Sequence, residues 1–204
     1  MTVCGKKVVT LQPVMTLRDI LLRISPISDE AIAHFEAMTD EVCMKKGTII
    51  LPAGKRNRDI YFIADGLARA FVIRDGEERT YWIAAEGEGL MSLHTYMTGE
   101  PSYDSHELLE DSRLYRMRVD DLRSLFEQSI ELSNWGRRLF ERELAMMEPQ
   151  MIDLANLTAK QRYKIIIESH PELLQRVPLE HLATYLGITP VSLSRIRGQL
   201  KDMY

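Results

Sequence analysis

The chain has 204 residues, of which 45% are hydrophobic, and a formal net charge of −4. This length and apolar content suffice for a packed core, which argues against an intrinsically disordered chain. No apolar run approaches the ~20 residues of a membrane span, and the histidines, cysteines and serines lack the spacings of zinc proteases or serine hydrolases, so neither a membrane protein nor an enzyme is expected.

The N-terminal segment has no apolar run of the kind that a secretory signal requires. We therefore expect a cytoplasmic protein. We also expect it to hold no metal and no cofactor. Cys4 and Cys43 are too few for a four-thiolate iron–sulfur cluster. Haem ligation by His94 or His106 stays open at this point, although a lone histidine is more often an ordinary core or surface residue.

Two short helices are predicted first, because apolar residues recur at helical spacing over 17–24 and over 32–38, on either side of Ser25-Pro26. From Val42 the pattern changes to short β-prone segments separated by glycine and acidic turns: GTIIL, DIYFI, ARAFVI, RTYWIA, SHELLE and RLYRMR. Asp75-Gly76 predicts a hairpin between two of these segments. So many short strands in succession predict a β-sandwich or jelly roll.

A long helical region follows, from DDLRSLFEQS to Leu154, and it has two apolar stripes. Two stripes would let one helix pack on its own sheet and on a second copy of the chain. The stripe predicted as the dimer interface consists of Leu132, Trp135, Leu139 and Met146, and the neighbouring stripe of Phe140, Leu144, Met147 and Met151. The alternative is one wide core face in a monomer. Pro149 is expected to kink or divide the helix, because it lacks an amide donor.

A compact helical unit is predicted from residue 157 onward, with Thr158 as the cap of its first helix. The segment HLATYLGITPVSLSRIRGQL then matches a helix-turn-helix. Ala183 is the small residue where the two helices cross, Gly187 supplies the turn, and Thr189 caps a second helix that begins at Pro190. The apolar contact positions are filled by Leu182, Leu186, Ile188, Leu193 and Ile196.

The outer face of this second helix is polar and includes an arginine. The residues predicted to face DNA are Thr189, Pro190, Val191, Ser192, Ser194, Arg195 and Gln199. Arg195 is suited to a bidentate contact with guanine, and the hydroxyls of Thr189 and Ser192 lie at the helix N-terminus, where phosphates bind. From residue 154 onward seven Lys or Arg oppose four acidic residues, so this part has a net charge of +3 and the remainder −7.

The segment KGTIILPAGKRNRDIYFIADGLARAFV, with Gly47, Gly54 and Gly66, together with the helix-turn-helix, resembles the Crp/Fnr group of bacterial transcription regulators. The resemblance covers nearly the whole chain. It implies an α+β fold with an N-terminal double-stranded β-helix, or jelly roll, of the cyclic-nucleotide-binding type (1–128), a long dimerisation helix (129–156) and a C-terminal helix-turn-helix domain (157–204). The family commonly has a base-reading arginine at the position of Arg195.

The sensor part departs from this family pattern. Members that bind cyclic AMP hold its phosphate with a Gly-Glu pair and an Arg-Ser pair, and the matching positions here are Met91-Ser92 and Ser102-Tyr103. No lysine or arginine occurs from Thr80 to Ser112. An uncompensated buried phosphate would cost on the order of several kcal/mol, so cyclic AMP is not expected as the effector.

A pocket that persists in the roll would be lined by Met91, Ser92, Tyr103, Met147 and Glu148, which suits a neutral or cationic effector better than an anion. The alternative is that these side chains fill the roll. The resulting hypothesis is a homodimeric regulator that binds double-stranded DNA at a palindromic operator, with an unidentified small-molecule effector at most. The competing hypothesis is an effector-binding or protein-interaction dimer whose helix-turn-helix is only structural.

Overall fold

The computed structural model describes residues 14–201, and Cys4 lies outside them. The helices are α1 (Leu17–Ile24), α2 (Asp29–Ala37), α3 (Leu93–Thr98), α4 (Val119–Gln128), α5 (Ile130–Asn156), α6 (Ala159–Ser169), α7 (Leu173–Arg176), α8 (Leu179–Tyr185) and α9 (Pro190–Lys201). The strands are β1 (Thr39–Met44), β2 (Ile49–Leu51), β3 (Asp59–Asp65), β4 (Ala68–Arg74), β5 (Glu77–Ala84), β6 (Gly89–Leu90), β7 (Ser105–Leu108) and β8 (Ser112–Arg118). Within this range no helix combines the length and the hydropathy that crossing a bilayer requires.

The strands form two antiparallel four-stranded sheets, in the orders β1-β8-β3-β6 and β2-β7-β4-β5. This arrangement confirms the predicted jelly roll, and each of the six predicted segments contributes a strand. Two strands were not predicted. The acidic residues of β1 obscure its alternation, and β6 is only 2 residues long, too short for any periodicity.

The turn between β4 and β5 shows how local sequence determines the register of the roll. Asp75 and Gly76 both have positive φ, 54° and 78°, and Arg74 pairs directly with Glu77 across the turn. Positive φ at both central residues defines a type I′ hairpin turn, whose twist matches that of the flanking strands. The predicted hairpin at Asp75-Gly76 is therefore confirmed.

One hydrophobic core joins the N-terminal helices, α4 and α5 to the sheet that contains β3. Trp135 lies in this core, with its ring centroid 4.6 Å from that of Phe35 and 6.3 Å from that of Phe62. Its indole Nε1 donates a hydrogen bond of 3.0 Å to the carbonyl oxygen of Leu21. The Trp135 ring thus fixes α5 against the roll of its own chain.

This packing corrects the predicted dimer interface. Leu132, Trp135 and Leu139 are only 1%, 1% and 3% exposed, so the chain's own core encloses them and they are not available to a partner. Met146, further along the same side of the helix, is half-buried. The prediction failed because both stripes of α5 have similar hydrophobicity, and the sequence alone does not tell which stripe the roll covers.

Helix α5 also continues through Pro149, so the predicted division does not occur. The proline removes the hydrogen bond to the carbonyl of Ala145, and both residues are exposed, so water can satisfy that carbonyl. The break in the helical region lies instead at Ser129, which separates α4 from α5. The hydroxyl of Ser129 accepts a hydrogen bond from the backbone N–H of Leu132 at 3.1 Å and caps the new helix.

Candidate nucleic-acid interface and cavity

The C-terminal helices have the predicted helix-turn-helix geometry. Helix α8 ends in a turn at Gly187, whose φ of 67° is in the left-handed region, and α9 begins at Pro190. The hydroxyl of Thr189 accepts a 3.2 Å hydrogen bond from the N–H of Ser192, as the predicted cap requires. The small residue Ala183 is fully buried where the two helices meet, and Leu193 is fully buried on α9. The local sequence therefore specifies this unit well.

The outer face of α9 is open to solvent. Six of the seven residues predicted to contact DNA are exposed, namely Thr189, Pro190, Val191, Ser194, Arg195 and Gln199, and Ser192 is half-buried. Helix α6 adds a residue that the sequence reasoning missed. Lys160 donates a 3.0 Å hydrogen bond to the side-chain oxygen of Gln199 and places a second positive charge beside this face. Because the two residues are 39 positions apart, periodicity within either helix could not reveal the contact.

Helix α8, rather than α9, packs on the roll. The hydroxyls of Thr184 on α8 and Thr80 on β5 lie 2.8 Å apart, and His181 Nδ1 lies 3.8 Å from a carboxylate oxygen of Glu78. Beneath them Arg69 is buried and bonded to Glu107 at 2.6 Å. Docking through α8 leaves the face of α9 free.

A second contact between the two parts is an ion cluster around Arg176, at the end of α7. Its guanidinium lies 2.7 Å from Glu86 and 2.8 Å from Glu110, which lie in two turns of the roll. Burial alone would raise the pKa of Glu86, but hydrogen bonds from Arg176 and from the Gly66 N–H outweigh it and lower that pKa. The cluster holds the helical unit against the roll through charge-assisted hydrogen bonds.

A cavity of about 170 Å³ lies between the roll and α5. It is lined by Ile60, Ala70, Tyr81, Trp82, Gly89, Leu90, Met91, Leu93, His94, Tyr103, Asp104, His106, Leu139, Phe140, Glu143 and Met147. Three of the five residues predicted for an effector pocket are among them: Met91, Tyr103 and Met147. The other two are not.

Ser92 is buried and caps α3 instead, where its hydroxyl accepts a hydrogen bond from the Thr95 N–H at 3.3 Å. Glu148 is exposed, and Glu143 faces the cavity in its place. Residues four positions apart share a helix face, whereas successive residues are rotated by about 100°. Met147 and Glu143 therefore line the cavity together, and Glu148 points elsewhere.

The polar end of the cavity is organised around Asp104. Its carboxylate accepts hydrogen bonds from the hydroxyls of Ser102 and Tyr81 and from His106 Nε2, the last at 3.0 Å. Burial would raise the pKa of Asp104, but these hydrogen bonds outweigh burial and hold the pKa well below its usual value. Asp104 is therefore a carboxylate near neutral pH.

The two histidines for which haem ligation was left open contact other side chains in the structure. His106 is engaged with Asp104, and the ring centroid of His94 lies 5.2 Å from that of Tyr103. Among residues 14–201 no group of three or more His, Cys, Asp or Glu side chains could hold a metal ion.

Glu88, in the turn before β6, has an unusual ionisation. Burial, together with the charge of Glu143, raises the pKa of Glu88 to about 7. In the unfolded chain this carboxyl loses its proton at a lower pH than in the folded chain. The stability that protonated Glu88 contributes to the fold is therefore complete below pH ~4.5 and decreases as the pH rises through 7. We expect Glu88→Gln, which stays neutral, to gain about 2 kcal/mol in free energy of unfolding over wild type between pH 5 and pH 8.

Urea unfolding at both pH values measures this gain. Glu148→Gln is the matched control, because it makes the same chemical change at an exposed position of α5. A pH-independent effect of Glu88→Gln would show that Glu88 titrates normally.

Known proteins resemble this chain in sequence and in fold. A family model described as "Cyclic nucleotide-binding domain" matches residues 41–129. The transcriptional regulatory protein btr of Bordetella pertussis is 24% identical over 84% of either chain. The c-di-GMP-responsive global regulator CLP of Xanthomonas campestris is 16% identical and superposes with a TM-score of 0.69 over 86% of this chain and 92% of its own. FixK2 of Bradyrhizobium japonicum is 19% identical, with a TM-score of 0.69 over 81% of this chain and 85% of its own.

Proposed function

We propose that this chain is a transcription regulator of the Crp/Fnr type, which binds a specific sequence of double-stranded DNA in the cytoplasm through α9. The relative from Bordetella pertussis and the structural neighbour from Xanthomonas campestris are both described as regulators, which supports this proposal. The exposed face of α9 is the observation that carries the proposal. It combines a capped N-terminus suited to phosphate with the exposed guanidinium of Arg195, which suits guanine. Lys160 and the other basic residues of this part would contact the DNA backbone.

We further propose that the chain acts as a homodimer through the part of the second stripe of α5 that begins at Leu144, continued by Leu154. Leu144, Met151 and Leu154 are 69%, 59% and 64% exposed, so three large apolar side chains of one helix are open to solvent. Together with Met147 they alternate at spacings of three and four residues, which is the pattern of a two-helix coiled-coil seam. Two-fold symmetry about this seam would present two α9 helices ~34 Å apart to a palindromic operator.

The sensor roll, in this proposal, does not bind cyclic AMP. The described residues that line the cavity include no lysine or arginine, and they do include the carboxylates of Asp104 and Glu143. A cyclic nucleotide phosphate would therefore meet like charge with no compensating cation. Equilibrium dialysis of the purified chain with cyclic AMP should accordingly show no uptake at millimolar concentration.

Arg195→Ala tests the DNA-binding proposal. We expect the variant to lose about 1–3 kcal/mol of binding free energy on the preferred operator and little on unrelated duplexes, because a base contact carries sequence information and a phosphate contact does not. Wild-type affinity should fall steeply with salt, because bound phosphates release counterions. Fluorescence anisotropy with preferred and scrambled duplexes over a range of salt concentrations measures both effects.

Arg56→Ala is the matched control, because it removes the same charge from the loop between β2 and β3 of the roll. If both variants lost the same binding free energy on every duplex, Arg195 would not recognise the base sequence. A wild-type affinity that depends neither on sequence nor on salt would instead favour the protein-interaction dimer, in which the helix-turn-helix only packs on the roll.

A further inference from the structure

The cavity between the roll and α5 has aromatic walls. Tyr81, Trp82, Tyr103 and Phe140 contribute ring surface to it, and Met91 and Met147 add thioethers. Its volume of about 170 Å³ is close to that of the ~150 Å³ cavity that admits a benzene molecule. The space therefore suits a ligand with one small ring or a short alkyl chain. Aromatic faces also attract cations.

The charge of the cavity is negative. Asp104 is ionised, since three hydrogen bonds stabilise its carboxylate. Glu143 also faces the cavity, and burial raises the pKa of its carboxyl, against the charge of Arg142. A cation placed beside Glu143 would favour the ionised form and gain an opposite charge in a largely apolar space.

His106, which also lines this cavity, has a hydrogen-bonding atom that is not satisfied. The residue is 5% exposed, and its Nε2 donates to the carboxylate of Asp104, which can only accept. Its Nδ1 is buried and has no hydrogen-bond partner among the described residues. In the neutral ring this nitrogen is an acceptor, so it calls for a ligand that carries an N–H or O–H donor. Buried polar atoms without partners are uncommon and need an explanation.

We propose that the cavity binds a small primary or secondary amine in its protonated form. The ammonium group donates a hydrogen bond to Nδ1 of His106, and the carboxylates of Asp104 and Glu143 balance its charge. An apolar or aromatic body packs against Trp82 and Phe140. A quaternary ammonium ion lacks the N–H that His106 requires, and a carboxylate or phosphate is repelled.

Strand β5 connects this cavity with the DNA-binding unit. Tyr81 and Trp82 line the cavity, whereas the neighbouring Thr80 contacts Thr184 of α8 and Ile83 packs in the core of the C-terminal helices. A ligand that moves the two aromatic rings would therefore shift the strand on which α8 is docked. An effector role for the amine rests on the DNA-binding function proposed above, but amine binding itself does not.

The test uses the purified full chain and a panel of benzylamine, phenethylamine and tyramine, in isothermal titration calorimetry without DNA. The matched ligands are phenethyl alcohol, phenylacetate and trimethylphenylammonium. We expect at least one primary amine to bind and the three matched ligands to bind much more weakly. Glu143→Gln should weaken amine binding about 10- to 100-fold, which is the loss of one charge-assisted hydrogen bond or ion pair. Glu148→Gln, on the same helix but outside the cavity, should change nothing.

The proposal is overturned if no amine of the panel binds at millimolar concentration, if phenylacetate binds as well as phenethylamine, or if Glu143→Gln binds amines as wild type does. A circular dichroism melt of each variant confirms that it is folded. Anisotropy with the preferred operator, repeated with and without the amine, separates the two proposals. Amine binding without DNA binding would support the ligand site and contradict the regulator function. DNA binding without amine binding would support the regulator function and contradict the ligand site.

Discussion

Leu144→Glu is expected to convert the chain from a dimer to a monomer and to weaken operator binding about 100-fold or more. The side chain of Leu144 is 69% exposed in the single chain, so the charge costs little there. In a two-helix seam the same glutamate would face its own copy across the two-fold axis, buried and opposite a like charge. Loss of the dimer removes the second half-site contact, whose linkage contributes a factor of about 10²–10⁴ in affinity. Analytical ultracentrifugation measures the first effect and anisotropy the second.

Ala145→Glu is the matched control for this substitution. Ala145 is also exposed on α5 and adjacent in sequence, but helical periodicity turns it away from the stripe. We expect that variant to remain a dimer with wild-type operator affinity. A Leu144→Glu chain that sediments as a dimer would contradict the proposed seam.

Trp135→Ala is expected to lower the free energy of unfolding by about 3–5 kcal/mol, the usual cost of removing a large aromatic side chain from a packed core. The indole is 1% exposed and packs between Phe35 and Phe62, so its removal leaves a cavity where α5 meets the roll. It also leaves the carbonyl of Leu21 without its hydrogen bond. Urea unfolding followed by far-UV circular dichroism measures the change.

Trp135→Phe separates packing from oligomerisation. It keeps an aromatic ring and loses the hydrogen bond, so a smaller loss of about 1–2 kcal/mol is expected. Both variants should sediment as dimers below the urea concentration at which they unfold. If Trp135→Ala dissociated into stable monomers with an unchanged free energy of unfolding, Trp135 would lie in the dimer interface and not in the core of its own chain.

The sequence was sufficient for features that depend on near neighbours. The hairpin at Asp75-Gly76, the caps at Thr158 and Thr189 and the turn at Gly187 each need a particular backbone angle or a short side-chain hydrogen bond. Few residue types provide these, so the local pattern is specific. The jelly roll followed from alternation and from turns in the same way.

Features that depend on distant residues were predicted less well. Stripe periodicity revealed two apolar faces on α5 but not which one the roll covers. Glu148, predicted for the effector pocket, is exposed, and Glu143 lines the cavity. The cluster of Arg176 with Glu86 and Glu110 joins residues 90 and 66 positions apart. The acceptor at His106 Nδ1 depends on how its ring is held by Asp104. Such contacts are set by packing between elements, which no single-element pattern encodes.

The most direct test of the central claim, that α9 reads DNA from a two-fold dimer, is selection of duplexes from a random library by the wild-type chain, followed by native mass spectrometry of the selected complex. We expect an enriched palindrome whose half-site centres are about one helical turn apart, and a complex of two chains with one duplex. A library that emerges without enrichment, or a complex of one chain with one duplex, would contradict it.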